Sequence, residues 1–177
     1  KERKAQAKSE KNSQEELKKR VFVLNFNGDT RASEVALLRE EVTAILLGVR
    51  EGDEVLVRLE SAGGMVHAYG LAASQIMRLR DAGVDVTVSV DKVAASGGYL
   101  MACVANRILA APFAVIGSIG VVAETPNFNR LLKKHDIDYE QISAGEYKRT
   151  ISMLGETTDR ARAKVKEEVE QTHTLFK

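Results

Sequence analysis

One cysteine (Cys103), two prolines and no tryptophan occur in 177 residues. A single cysteine excludes an internal disulfide, so thiol content ties the chain to no redox compartment. Aromatic residues make up only 5%, too few for the exposed rings on which single-stranded nucleic acid stacks. The net charge of +1 gives no overall field to attract a nucleic acid or a membrane surface, and no nucleic-acid partner is expected. No apolar run approaches the roughly 18 residues of a membrane-spanning helix, and no signal-peptide pattern opens the chain. Three scattered histidines and one cysteine supply no ligand pair at zinc spacing. Neither G-x-x-x-x-G-K nor G-x-G-x-x-G occurs, so no metal or cofactor is expected.

What is present is unevenly arranged. Residues 1–20 carry eight Lys or Arg against four Glu, a charge of +4 that leaves −3 for the remainder. With Leu17 as its only large apolar residue, this tail cannot bury a hydrophobic face. It is expected to be a disordered or weakly helical linker ahead of one domain over residues 21–177. The 44% hydrophobic content of the chain is ordinary for a globular domain of that size.

Residues 21–26 (VFVLNF) form a short apolar run closed by Asn27-Gly28-Asp29, the pattern of a buried strand and turn. Residues 32–49 carry apolar positions at helical spacing, with Ser33 as the expected cap. Strands are expected over 54–59 and 84–90, with a helix over 66–80 between them. Strand, helix, strand, helix, strand at this spacing gives an α/β fold with a mainly parallel sheet. Further on, a helix is expected over 99–105, strands over 107–111, 114–122 and 139–142, a helix over 128–135 and a last one from residue 157. Cys103 is expected in the core of its helix.

Active sites in such folds sit in loops at the carboxyl ends of the strands. Two loops stand out, Ser61-Ala62-Gly63-Gly64 and Ala95-Ser96-Gly97-Gly98. A serine at a strand-to-helix turn followed by two glycines lets the backbone turn tightly. It also stands at a helix N-terminus, where unpaired N–H groups and positive dipole face any anion that forms. Gly97 N–H is thus a candidate oxyanion donor, and Gly64 N–H a second. The bland alternative is that Ser96 merely caps the helix while Gly97 and Gly98 make packing contacts. The sequence lacks the first glycine of G-x-S-x-G, so the α/β-hydrolase elbow is a poor match.

A serine hydroxyl needs a base. None of His67, His135 and His173 sits in a distinctive loop, which disfavours a Ser-His-Asp triad. A lysine serves instead when burial favours its neutral form. The candidate is Lys148, expected to be buried, in a loop with Gly145 and Tyr147.

These motifs, in their order, resemble the signal peptide peptidase A family, and most closely its SohB-type bacterial members. Asp91-Lys92-Val93-Ala94-Ala95-Ser96-Gly97-Gly98-Tyr99 matches the block around that family's nucleophile. Ser61-Ala62-Gly63-Gly64 is similar to its Ser-Pro-Gly-Gly block, with Ala62 in place of proline. Ile116-Gly117-Ser118-Ile119-Gly120-Val121 matches a third block, and Gly145-Glu146-Tyr147-Lys148 the one that carries the lysine, 52 residues after Ser96. The resemblance implies a Clp-protease and crotonase type of fold, a spiral of β-β-α units. It implies a serine endopeptidase with Ser96 as nucleophile, Lys148 as general base, Ser118 orienting Lys148, and Gly64 and Gly97 as oxyanion donors. It implies a homo-oligomeric ring acting on peptides or polypeptides. It further implies attachment to the bacterial inner membrane through a segment outside this chain, with the catalytic domain in the periplasm. Two alternatives remain at this point: a crotonase-type enzyme acting on acyl-CoA, and a non-catalytic, ring-forming scaffold.

Overall fold

A computed structural model describes residues 19–145 and 148–177. Of the tail, only Lys19 and Arg20 are among them, so the linker expected over residues 1–18 lies outside the described residues. The elements follow in the order β1 (Val21–Gly28), α1 (Val35–Gly48), β2 (Glu54–Ser61), α2 (Val66–Asp81), β3 (Asp85–Val90), β4 (Val93–Ala95), α3 (Gly97–Cys103), β5 (Arg107–Ala110), β6 (Val115–Gly117), α4 (Asn129–Lys134) and α5 (Asp159–Phe176). The chain divides into two compact units, the first ending at Gly117 and the second running from Ser118 to Lys177.

The first unit holds a six-stranded sheet in which every strand pairing is parallel. Strand β2 serves two neighbours on one side. Residues 54–58 pair with β3, and further along Ser61 pairs with Ala94 of β4. The next strands repeat the arrangement, β5 on β3 and β6 on β4. One β-β-α unit, β3-β4-α3, is thus followed by the two strands of another. The α/β class with a mainly parallel sheet expected from the element order is what the structure has.

Alternation along the strands sets the core. Leu24 and Phe26 of β1, Val55, Val57 and Leu59 of β2, and Val86, Val88 and Val90 of β3 are buried. Against them pack Leu38, Val42 and Ile45 of α1 and Tyr69, Ala72, Ile76 and Leu79 of α2. Each fully buried Leu, Ile or Phe side chain contributes on the order of 1.5–3 kcal/mol through removal from water. The opposite face of the same strands carries Asn25, Asn27, Arg58, Glu60 and Ser89, which line a polar cleft. Parallel sheets are usually apolar on both faces; here the period-two pattern in EVLVRLES buries one.

The start of the described chain is fastened by an ion pair. Asp53 is buried and accepts hydrogen bonds from Arg20 N (3.0 Å), Arg20 Nε (3.1 Å) and Arg50 N (2.9 Å). Arg20 also donates to Gly48 O at 2.7 Å. The Arg20 hydrogen bond, foremost, holds the Asp53 carboxyl far below its ordinary value of 3.8. A carboxyl depressed on folding stabilises the fold above its unfolded pKa, and that contribution is lost as pH falls toward the folded value. Urea unfolding between pH 3 and 7 is expected to show this loss below about pH 4. Asp53→Asn is expected to be less stable at pH 7 and to have a flatter acid limb. An acid limb as steep as that of the wild type would assign the effect to other groups.

Several local expectations are corrected. Ser33 does not cap α1. Its N–H and Oγ–H donate to Asp29 (2.8 and 2.7 Å), and the residue before the helix, Glu34, makes no side-chain cap. The strand expected over 114–122 is confined to Val115–Gly117, ending where Gly117 takes φ +113°. Residues 139–142 form no strand, with Ile142 exposed. So short a segment becomes a strand only beside a ladder partner. Cys103 is exposed at the end of α3, its Sγ–H donating to Leu100 O at 3.3 Å.

Candidate active site

Ser61 and Ala94 are register partners, so the loops after β2 and β4 leave the same end of neighbouring parallel strands. The two Gly-Gly turns of the sequence therefore meet. A Cβ on Gly63 would lie 2.7 Å from Gly97 N, 2.7 Å from Ser96 Cβ and 2.8 Å from Ala95 O. Gly63 itself has φ +89°, a conformation that glycine adopts without steric cost.

Ser96 sits between β4 and α3 with φ +51° and ψ −120°. A non-glycine residue in that region carries roughly 1–3 kcal/mol of strain, which persists only where the surroundings impose it. Here Ser96 N donates to Gly117 O (2.8 Å) and Ser96 O accepts from Leu100 N (2.9 Å). The residue is held from the β6 side and from the first turn of α3. Its side chain makes no capping hydrogen bond to that helix. The bland alternative for Ser96, a helix cap, is therefore not what the residue does. The strained strand-to-helix turn is instead the backbone geometry of a nucleophile elbow, reached without the first glycine of the usual motif.

The packing half of the bland alternative does hold. A Cβ on Gly97 would stand 2.4 Å from Tyr69 Cγ, and one on Gly98 2.5 Å from Ser61 O. Gly97 is the first residue of α3, where an N–H has no intrahelical acceptor. On Gly64 a Cβ would lie 2.1 Å from Thr30 O, and the N–H of the next residue, Met65, donates to that same oxygen at 2.8 Å. Three segments thus build the cradle: residues 28–30, the turn at 61–64 and the turn at 95–98.

The structure brings Ser96, Gly97 and the Gly63-Gly64 turn together in the first unit. Ser118 and Lys148 belong to the second. Ser118 is exposed with φ +54°. Lys148 follows a turn opened by Gly145 (φ +92°), its N–H donating to Gly145 O at 3.2 Å. Glu146 and Tyr147 of the same motif lie outside the described residues. Lys148 is exposed where burial was expected. His67 and His135 are exposed and His173 is half-buried.

Sequence reasoning missed Tyr69 and, although it singled out the loop that Ser61 opens, gave Ser61 no role of its own. Tyr69 and Ser61 are both buried, and the Tyr69 ring and hydroxyl approach Gly97 and Gly28. The available signal was a tyrosine on the buried stripe of a helix, whose hydroxyl needs a partner.

The strained Ser96 beside two glycine turns is the candidate site of the first unit. Comparison with known proteins supplies the family: the model for peptidase family S49 matches residues 78–177, and that for the N-terminal region of peptidase family S49 matches residues 1–76. The chain belongs to peptidase family S49, and its likeness is to SohB-type members. It is 60% identical to the probable protease SohB of Haemophilus influenzae over 164 residues, 93% of this chain and 46% of that protein. It is 61% identical to the probable protease SohB of Buchnera aphidicola subsp. Acyrthosiphon pisum over 160 residues, 90% of this chain and 48% of that protein. The chain thus spans about half the length of these curated relatives. Among solved structures, a putative enoyl-CoA hydratase of Mycobacterium avium paratuberculosis aligns with a TM-score of 0.39 and 14% identity, over 86% of this chain and 71% of that one.

Proposed function

We propose that the chain carries the working parts of a serine endopeptidase with a Ser96/Lys148 dyad. The observation that supports it best is the strained, uncapped Ser96 at the meeting of two glycine turns. In this reading the Ser96 hydroxyl attacks the peptide carbonyl while Lys148, neutral, takes its proton. The carbonyl oxygen becomes an oxyanion facing the Gly64 and Gly97 N–H groups. Collapse breaks the C–N bond, the Lys148 proton goes to the leaving amine, and an ester to Ser96 remains. Water, deprotonated by Lys148, hydrolyses that ester and restores the hydroxyl. Ser118 hydrogen-bonds Lys148 and orients it.

A lysine is a base only when neutral, and desolvation is what favours the neutral form. Lys148 is exposed on the single chain. The dyad therefore works in an assembled homo-oligomeric ring, in which a neighbouring copy covers that turn. The names of the relatives support a protease; the motif resemblance alone is behind substrates such as signal-peptide remnants and exported or membrane-derived polypeptides. The same resemblance is behind a site on the periplasmic face of the bacterial inner membrane, reached through a segment outside this chain. Among the described residues, no helix is long and apolar enough to cross a membrane.

The test is intact-mass labelling with a fluorophosphonate across pH 6–9. One adduct per chain is expected, forming faster as pH rises because the base must be deprotonated, and faster per chain at concentrations that favour assembly. Lys148→Ala is expected to slow it by roughly 10²–10⁴-fold, the usual worth of a positioned general base. Labelling that survives Lys148→Ala unchanged sinks the proposed base.

A further inference from the structure

We propose that Tyr69 is a positioning residue for this site, holding both glycine turns in place through one hydrogen-bond chain and one ring face; the inference rests on the hydrolase reading above. Tyr69 lies on the first turn of α2 and is fully buried. Its hydroxyl donates to Asp29 O at 2.7 Å. With its only proton used there, it accepts at its other contact, the Ser61 Oγ at 2.5 Å. Ser61 Oγ in turn accepts from Gly63 N at 3.0 Å. In that arrangement the chain runs from Gly63 N–H to Ser61, from Ser61 O–H to Tyr69 and from Tyr69 O–H to Asp29. Ser61 Oγ also donates to Gly28 O at 3.2 Å, so its one proton is shared between that carbonyl and the closer Tyr69 oxygen.

The chain is anchored where it matters. It begins at Gly63, one residue before the proposed donor Gly64, and ends on Asp29. The next carbonyl, Thr30 O, accepts from Met65 N, one residue after Gly64. Gly64 is therefore bracketed on both sides by groups tied to one another through Tyr69. The other proposed donor, Gly97, lies on the tyrosine ring itself, where a Cβ would be 2.4 Å from Cγ. Asp29 O also accepts from Ala32 N at 3.0 Å, and the Asp29 carboxylate takes Arg31 N (3.1 Å) and Ser33 N. The far anchor is a braced loop. Burial, foremost, raises the Tyr69 phenol above its ordinary value despite the Ser61 bond that lowers it, so the hydroxyl keeps its proton. A tyrosine needed only for bulk would make no use of that hydroxyl. Preorganised donors lose effect steeply when displaced, since a misplacement of about 1 Å costs on the order of 100-fold.

The test is Tyr69→Phe, which keeps the ring and removes the hydroxyl, with Ser61→Ala and the double variant, all in the full chain. Fluorophosphonate inactivation separates the maximal rate, kinact, from the half-saturating concentration, KI. Tyr69→Phe is expected to lower kinact roughly 10–100-fold and to leave KI within about twofold. Ser61→Ala, which cuts the same chain at its middle link, is expected to do the same. The double variant is expected to be scarcely worse than either single one, because groups acting as a unit are not additive. Loss of melting temperature with kinact intact in Tyr69→Phe overturns the inference and leaves the hydrolase reading standing. If Tyr69→Phe does not fold, wild-type kinact in Ser61→Ala overturns it equally. A wild-type chain that takes no label at Ser96 overturns both.

Discussion

Ser96→Ala is expected to fold as the wild type does and to lose at least roughly 1,000-fold in fluorophosphonate labelling and peptide turnover, the scale seen when a catalytic serine is removed. Its folding follows from the local contacts. Ser96 is held by backbone bonds to Gly117 and Leu100, and its Oγ caps nothing, so deleting the hydroxyl removes no structural bond of α3. The strain remains in that variant, because alanine at φ +51° meets the same steric conflict as serine. Ser96→Gly separates the two roles. Glycine accepts this conformation freely but costs about 0.5–1 kcal/mol in chain entropy, against roughly 1–3 kcal/mol of strain relieved. Ser96→Gly is thus expected to be as inactive as Ser96→Ala and about 1 kcal/mol more stable in urea. Equal stability of the two would mean that the turn carries no stored strain. Retained labelling in either would remove Ser96 from the mechanism.

Gly64→Ala is expected to produce the next largest effect, a fall of roughly 10²–10³-fold in turnover, as when one oxyanion donor is lost. The new methyl would stand 2.1 Å from Thr30 O, a backbone atom in a loop that also receives the Met65 N–H. Neither side can yield by rotating a side chain, so the turn itself must move and carry the Gly64 N–H with it. Stability is expected to change less than activity, because Gly64 is exposed. A control comes from the same region of chain. Gly70 lies within α2, and a Cβ there meets nothing within 4 Å. Gly70→Ala is therefore expected to leave activity unchanged and to add about 0.4–1 kcal/mol of stability by restricting the unfolded chain. Kinetics and urea unfolding on the two variants check both expectations. A Gly64→Ala enzyme with wild-type turnover would show that Gly64 supplies no donor.

The elements that could be anticipated were those whose signal is local. VFVLNF and EVLVRL announced strands, and the apolar positions of residues 66–80 announced α2, because periodicity records which face will be buried. Where the signal depended on a partner, it failed. Residues 139–142 read as a short strand yet have no ladder to join, and Ser33 has the chemistry of a cap yet donates to Asp29. Cys103 reads as a core residue of an apolar helix and is exposed, since a helical stretch of seven residues is too short for its pattern to say which side faces out.

The candidate site divides along the same line. The sequence by itself determined the residue types and their order: a serine before two glycines, a second Gly-Gly turn, a lysine in a glycine-opened loop, and the match to peptidase family S49. Only the tertiary structure decided that the two turns meet, because parallel pairing of β2 with β4 places their ends side by side. It alone put Ser96 at φ +51° with its hydroxyl unused by the helix, and drew Tyr69 and Ser61 in beneath the glycines. Backbone strain and buried hydrogen bonds arise from contacts between segments distant in the chain, and such contacts leave no period in the sequence that could announce them.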